Sequence, residues 1–125
     1  MKLMGISEIH IGTDIVEILR IKHSLDKFGE KFKNHIFTKE EQKYCNKKPV
    51  PEIHFSGKFA AKESVVKAIK SSGYKNIVSL KKIEILNSKS GEPNVILKFN
   101  ISGHCKVSIS HTSEHATAMA IFMSK

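Results

Sequence analysis

The chain has 125 residues, 26% of them charged, and a formal net charge of +9 at pH 7 that is carried almost wholly by lysine. This length makes one domain over residues 1–125, with room for a core but not for a deep private pocket, so a large ligand is expected at a subunit interface. The basic balance makes the expected partners anionic, whether nucleic acid, phosphorylated small molecules, acidic proteins or an anionic surface.

No apolar run approaches the roughly 20 residues of a spanning helix, and Met1 to Glu8 holds no secretory h-region. The reading is a soluble, intracellular, cytoplasmic protein without a membrane partner. Cys45 and Cys105 have neither C-x-x-C nor zinc spacing and are expected to be free thiols.

In chain order, Ile9-His-Ile-Gly-Thr-Asp14 alternates apolar and polar side chains, which predicts a short half-buried strand. A helical pattern follows, with Ile18, Ile21, Leu25 and Phe28 on one face and Gly29 at its end. Asp14 and Glu17 stand in the D-x-x-E form of a capping box, so Asp14 is either an N-cap or, at a strand-to-helix junction, part of a metal or phosphate site. After a short loop, Thr38-Lys-Glu-Glu41 is a second capping box and opens a structural helix that runs to about Cys45. Asn46 to Pro51 is read as an exposed basic loop.

A long helix is predicted from about Glu52 to Ser71, closing at Gly73. Phe59, Val66 and Ile69 form its apolar stripe, and Ala60, Ala61 and Ala68 let neighbours approach closely. Glu63 and Lys67 lie one turn apart and share a face with Lys70. On a solvated face such a pair contributes only about 0.2–0.5 kcal/mol; inside an apolar segment it presents a carboxylate and an amine together from a rigid support. The remainder reads as β: Leu80 to Leu86, a turn at Ser90-Gly-Glu-Pro93, then Val95, Leu97 and Phe99 in phase. Lys106 to His111 and Ala116 to Phe122 form a second pair around Thr112 to His115. The fold class is α+β, an antiparallel sheet packed with a long central helix.

Three separate elements thus each deliver one titratable group: Asp14, Glu63 and His111. Two carboxylates are too few for an all-protein metal cage but suit Mg²⁺, which keeps waters and takes further ligands from substrate phosphates. Lys58, Lys62, Lys67 and Lys70, on or beside the same helix, can neutralise phosphate charge.

The segments Ile11-Gly-Thr-Asp-Ile-Val-Glu17, Gly57-Lys-Phe-Ala-Ala-Lys-Glu-Ser-Val-Val-Lys-Ala68 and Val107-Ser-Ile-Ser-His-Thr112 resemble the three signatures of holo-acyl-carrier-protein synthases, the small class of 4′-phosphopantetheinyl transferases. The similarity also covers Phe37-Thr-Lys-Glu-Glu41 and the hairpin containing Ser90-Gly-Glu-Pro93. It implies the fold of that family and transfer of the 4′-phosphopantetheine arm of coenzyme A to a serine of apo acyl carrier protein. Adenosine 3′,5′-bisphosphate is the implied leaving product, and fatty acid biosynthesis the implied context.

By the same resemblance Asp14 and Glu63 are Mg²⁺ ligands, and Glu63 and Lys67 are the catalytic pair. Lys67 meets charge on the leaving phosphate or protonates it, Lys58 and Lys62 contact coenzyme A phosphates, and His111 with Thr112 holds the nucleotide end. The general base stays open between Glu63 and a metal-bound water. A homotrimer with active sites between subunits is implied, with the acidic carrier protein docking on the first helix. Arg20, the sole arginine among 21 Lys and Arg residues, offers a planar fork for a carrier-protein carboxylate.

Two departures from the family pattern stand out. Thr13 replaces an apolar residue, and Lys58 replaces an arginine and so loses the bidentate option. Lys47 and Lys48 represent the family's basic loop. A nucleic-acid-binding module would interleave its lysines with exposed aromatics and carry a recognition motif, and neither is present. A non-catalytic scaffold of this fold would lack a site residue, whereas Asp14, Glu63, Lys67 and His111 are all in place.

Overall fold

One unbroken strand, β1 (Glu8–Glu17), is followed by three short helices, α1 (Ile18–Phe28), α2 (Glu30–Ile36) and α3 (Lys39–Asn46), and by the long α4 (Pro51–Ser71). The chain ends in β2 (Ile83–Asn87), β3 (Pro93–Leu97), β4 (Gly103–His111) and β5 (His115–Ser124). The structure is a computed structural model that describes residues 8–125. The stretch read as lacking a secretory h-region lies outside them, except for Glu8. Among the described residues no helix is long and apolar enough to cross a membrane.

An antiparallel sheet runs in the order β1-β5-β4, and β2-β3 is a separate two-stranded hairpin. The face of the larger sheet turned to α4 is built from small residues. Ala116, Ala118 and Ala120 of β5 are buried there beside Ala60, Ala61 and Ala68 of the helix, so backbones rather than long side chains set the spacing. Gly12 of β1 completes that contact. A Cβ on it would overlap the Ser64 carbonyl oxygen and lie 2.6 Å from the Ala68 amide nitrogen.

Several expectations are corrected by tertiary contacts. The first strand does not stop at Asp14, because β5 pairs with β1 as far as Glu17 opposite His115. Asp14 is therefore a strand residue rather than an N-cap, and α1 begins after Glu17 without a side-chain cap. The Ile18 amide instead donates to the Glu114 carbonyl at 2.9 Å. Gly29 (φ 53°) ends α1 as expected, but residues 30–36 form α2 instead of a loop. Its single anchoring pair, Phe32 and Ile36, is too short a run to show helical periodicity. Leu80–Lys82 forms a 3₁₀ turn before β2.

On α4 the predicted stripe was too narrow. Ile69 is buried, but Phe59 and Val66 are only partly so, while Phe55, Val65 and Ala61 are fully enclosed. The helix is covered on one side by the sheet and on another by α3 and the hairpin, which is why two faces carry core residues. Cys45 and Cys105 are free and buried; burial pushes both thiols up to about 12, where neither is a ready nucleophile.

The capping box that opens α3 forms as predicted: Thr38 Oγ1 accepts from the Glu41 amide, and Glu41 Oε1 accepts from the Thr38 amide at 2.8 Å. Thr38 Oγ1 also donates to Glu84 Oε2 at 2.6 Å. Thr38→Ala is expected to lower stability by about 1–2 kcal/mol, read from urea unfolding midpoints; an unchanged midpoint would show that water replaces both bonds.

Candidate active site

β1 and α4 bring together the first two sequence-predicted groups. Asp14 faces the helix from within the strand, opposite Ala118, and Glu63 projects half-buried from the middle of α4. Both line a cavity of about 420 Å³ that also includes Arg20, Phe59 and apolar side chains of α1 and α2. One turn beyond Glu63, Lys67 Nζ donates to the Thr13 carbonyl at 2.9 Å and to Asp14 Oδ1 at 3.1 Å.

Burial raises the Glu63 carboxyl above its ordinary range, and the neighbouring Asp14 carboxylate pushes the same way against Lys67 and Lys70. Two like charges held together are the state that a divalent cation relieves. The donor set fits Mg²⁺, since two carboxylates beside an open cavity leave positions for waters and phosphate oxygens. Among the described residues no three His, Cys, Asp or Glu side chains converge into a metal cage.

A second cavity, of about 270 Å³, is lined by Tyr44, His54, Gly57, Lys58, Asn87 and His111, among others. It adjoins one of about 470 Å³ that shares Tyr44, Lys58 and Asn87 and adds Lys43, Lys47 and Lys48. The Tyr44 ring carries the Lys48 and Lys58 ammonium groups, each 4.6 Å from its centroid. The His54 imidazole is held below its usual range, first by burial and then by Lys48, His111 and Lys58, so it is neutral at pH 7 and can accept a hydrogen bond. His111 is exposed, with Nδ1 3.2 Å from the Thr112 carbonyl oxygen. Thr112 Oγ1 accepts from the amides of Glu114 and His115 at 3.2 and 3.1 Å, which leaves its hydroxyl proton free to donate.

Lys62 requires a correction. It was expected to reach coenzyme A phosphates, but its side chain is 0% exposed and its ammonium lies 2.7 Å from Glu41 Oε1. Two further bonds run to the Ile83 carbonyl at 2.7 Å and the Leu80 carbonyl at 3.0 Å. All three ammonium protons are thus used inside the protein. Lys58 is also buried, yet it borders both basic cavities. Tyr44, His54 and Asn87 were missed by sequence reasoning. They come from α3, α4 and β2, and no local spacing ties them together.

The carboxylate cavity and the His111 cavity lie on different faces of α4. At about 100° per residue, Lys58 lies roughly 140° and His54 roughly 180° around the helix from Glu63. Within this chain, the carboxylates and His111 therefore open to different sides.

A two-carboxylate, lysine-flanked cavity on an antiparallel sheet and long helix defines a class of phosphate-handling transferase. Residues 10–120 match the family model described as the 4′-phosphopantetheinyl transferase superfamily, and the chain belongs to that superfamily as an enzyme of the holo-[acyl-carrier-protein] synthase kind. It is 42% identical over 119 residues to the holo-[acyl-carrier-protein] synthase of Protochlamydia amoebophila, covering 91% of this chain and 97% of that one. To that of Chlamydia pneumoniae it is 46% identical over 118 residues, covering 90% and 95%. Among solved structures, the Bacillus anthracis enzyme in complex with CoA (3′,5′-ADP) superposes with a TM-score of 0.76 at 32% identity, over 93% of this chain and 96% of that one. The Helicobacter pylori enzyme in complex with coenzyme A gives 0.77 at 31% identity, over 90% and 98%.

Proposed function

We propose that this single-domain protein transfers 4′-phosphopantetheine from coenzyme A to a serine hydroxyl of apo acyl carrier protein, requires Mg²⁺, and releases adenosine 3′,5′-bisphosphate. The observation that carries this reading is the convergence of Asp14 and Glu63 at one open cavity, with Lys67 bonded to Asp14 beside it. The serine hydroxyl gives up its proton to a general base as its oxygen bonds to the β-phosphorus and the bond from that phosphorus to the bridging pyrophosphate oxygen breaks. Positioning and electrostatics supply most of the catalysis. Asp14 and Glu63 would hold Mg²⁺, which neutralises pyrophosphate charge when bound. Lys67 is held by Thr13 and Asp14 beside that position, where its ammonium donates to the leaving phosphate. Lys58, His111 and the Thr112 hydroxyl hold the nucleotide end.

The working unit is a homotrimer with each active site shared between subunits, in the cytoplasm and serving fatty acid biosynthesis. Two features support the shared site. The carboxylates and the His111 cavity open to different sides of α4, so one coenzyme A contacts both most directly by bridging two protomers. The outer face of the sheet also exposes Ile9, Ile11 and Ile15 at 51, 60 and 67%, beside Met119. Covering what remains exposed of each such side chain is favourable by about 1–2 kcal/mol.

The test is intact-mass spectrometry of apo acyl carrier protein incubated with coenzyme A, Mg²⁺ and this protein. The carrier is expected to gain one phosphopantetheine, and the gain is expected to vanish with EDTA; a folded, coenzyme A-binding sample that gives no gain sinks the reading. Subunit mixing probes the shared site. Glu63→Gln and His111→Ala proteins are each expected to be inactive, and a re-associated mixture to recover up to about a quarter of wild-type activity. No recovery despite exchange would place each site within one protomer.

For the carrier protein, Arg20 is exposed on α1 at the rim of the carboxylate cavity. Arg20→Lys is expected to raise the KM for carrier protein by about tenfold while leaving that for coenzyme A alone. An equal rise in both would remove Arg20 from the docking surface.

A further inference from the structure

β2 pairs with β3 along one edge only, and its other edge is closed by side chains. In an antiparallel ladder alternate residues turn their N–H and C=O groups away from the partner strand, here Ile83 and Ile85. The Ile85 amide donates to Glu41 Oε2 at 2.7 Å. Its carbonyl accepts from Lys58 Nζ at 2.6 Å, and Lys58 also donates to Asn87 Oδ1 at 2.7 Å. The Ile83 carbonyl accepts from Lys62. Side chains from α3 and α4 therefore stand in for a third strand, and one residue of β2 is gripped at both its amide and its carbonyl.

The centre of this arrangement is the Glu41–Lys62 pair, with neither side chain exposed to solvent. Stability is a weak reason for such a pair, because removing two charges from water offsets most of their attraction, and apolar groups of equal volume often serve as well. Geometry is a stronger one. The carboxylate spans α3, β2 and α4 at once, through the Thr38 amide, the Ile85 amide and Lys62. Among the described residues no buried side-chain polar atom lacks a partner, so the strut is fully satisfied as it stands. Lys58, one turn before Lys62, takes its orientation from the strand that the strut holds.

We propose that Glu41 and Lys62 form a positioning pair for the basic cavity, holding β2 where Lys58 and Asn87 face a phosphate of coenzyme A. This rests on the reading of that cavity as the nucleotide site. Lys62 acts through Lys58 and does not touch the ligand. Two lysines one turn apart thus divide the work: one is locked inside as scaffold, and the other borders the cavity as its cation.

The test compares wild type with Lys62→Met, Glu41→Gln and the double variant. Four readouts are taken: thermal midpoint, titration calorimetry with coenzyme A, steady-state kinetics, and reductive methylation of Lys58 followed by peptide mass spectrometry without ligand. In the single variants an unpaired buried charge lowers the midpoint. The double variant regains most of that loss, yet its KM for coenzyme A stays raised by about tenfold or more, with kcat within about threefold of wild type. Lys58, slow to methylate in wild type, becomes reactive in the double variant. A folded double variant with wild-type KM and a protected Lys58 would overturn the proposal. If the double variant does not fold, Glu41→Gln alone decides by the same readouts. If wild type fails to bind coenzyme A, the reading of the cavity falls, and the labelling of Lys58 still decides whether the pair positions it.

Discussion

Glu63→Gln is expected to reduce phosphopantetheine transfer by at least about 10²–10³, the scale on which a preorganised electrostatic group acts on a transition state. The same substitution is expected to stabilise the metal-free protein. A carboxyl whose folded pKa lies above its unfolded value contributes stability that is fully present below the unfolded value and lost as pH rises through the folded one. Glu63 is such a group, raised by burial and then by Asp14. Without metal its charged form is therefore a liability to the fold, which the amide removes. The paired result, a lost activity and a raised thermal midpoint, is the trade expected where function holds like charges together. A lower midpoint would mean that Glu63 serves the fold. Acidification provides a check on the wild type. Because Glu63 takes up its proton above the ordinary glutamate range, Mg²⁺ affinity measured by calorimetry falls before that range is reached.

Gly12→Ala should have the largest effect on folding. The clash is with backbone rather than with a movable side-chain end: the added methyl overlaps the Ser64 carbonyl, and Lys67 Cβ lies 3.0 Å away. The glycine is not needed for its φ, because Gly12 is absent from the positive-φ glycines; it is needed for contact between strand and helix. A cost of about 3 kcal/mol or more is expected, at the upper end of overpacking penalties, read from urea unfolding midpoints. Transfer per folded molecule should fall as well, since Asp14 lies two residues along β1 and Lys67 bonds to Thr13 and Asp14 across the same contact. A variant of wild-type stability would show that β1 and α4 can separate without consequence.

Much of the candidate site was legible in the residues because its parts are short and local. Asp14 closes an alternating segment, Glu63 and Lys67 share a helical face, and His111 ends a strand. Each of those statements depends only on the repeat of one element. The lysines of α4 show where that reasoning stops. Lys58, Lys62 and Lys67 look equivalent as a basic cluster, yet Lys67 is exposed, Lys58 borders a cavity and Lys62 is sealed inside. What separates them is the direction from which other elements cover the helix.

The same division runs through the fold. Sequence by itself determined the α+β class, the Thr38 capping box, the long helix and both β pairs, because caps, turns and hydrophobic periods act within a few residues. Tertiary structure decided that β1 continues through Asp14 to Glu17, since β5 supplies partners that a local cap cannot outweigh. It also decided that Glu41, whose role looked confined to its own helix, reaches across to Ile85 and Lys62. A buried charge must find its counter-charge wherever the chain places one, and residues 41, 62 and 85 become neighbours only when α3, α4 and β2 pack together.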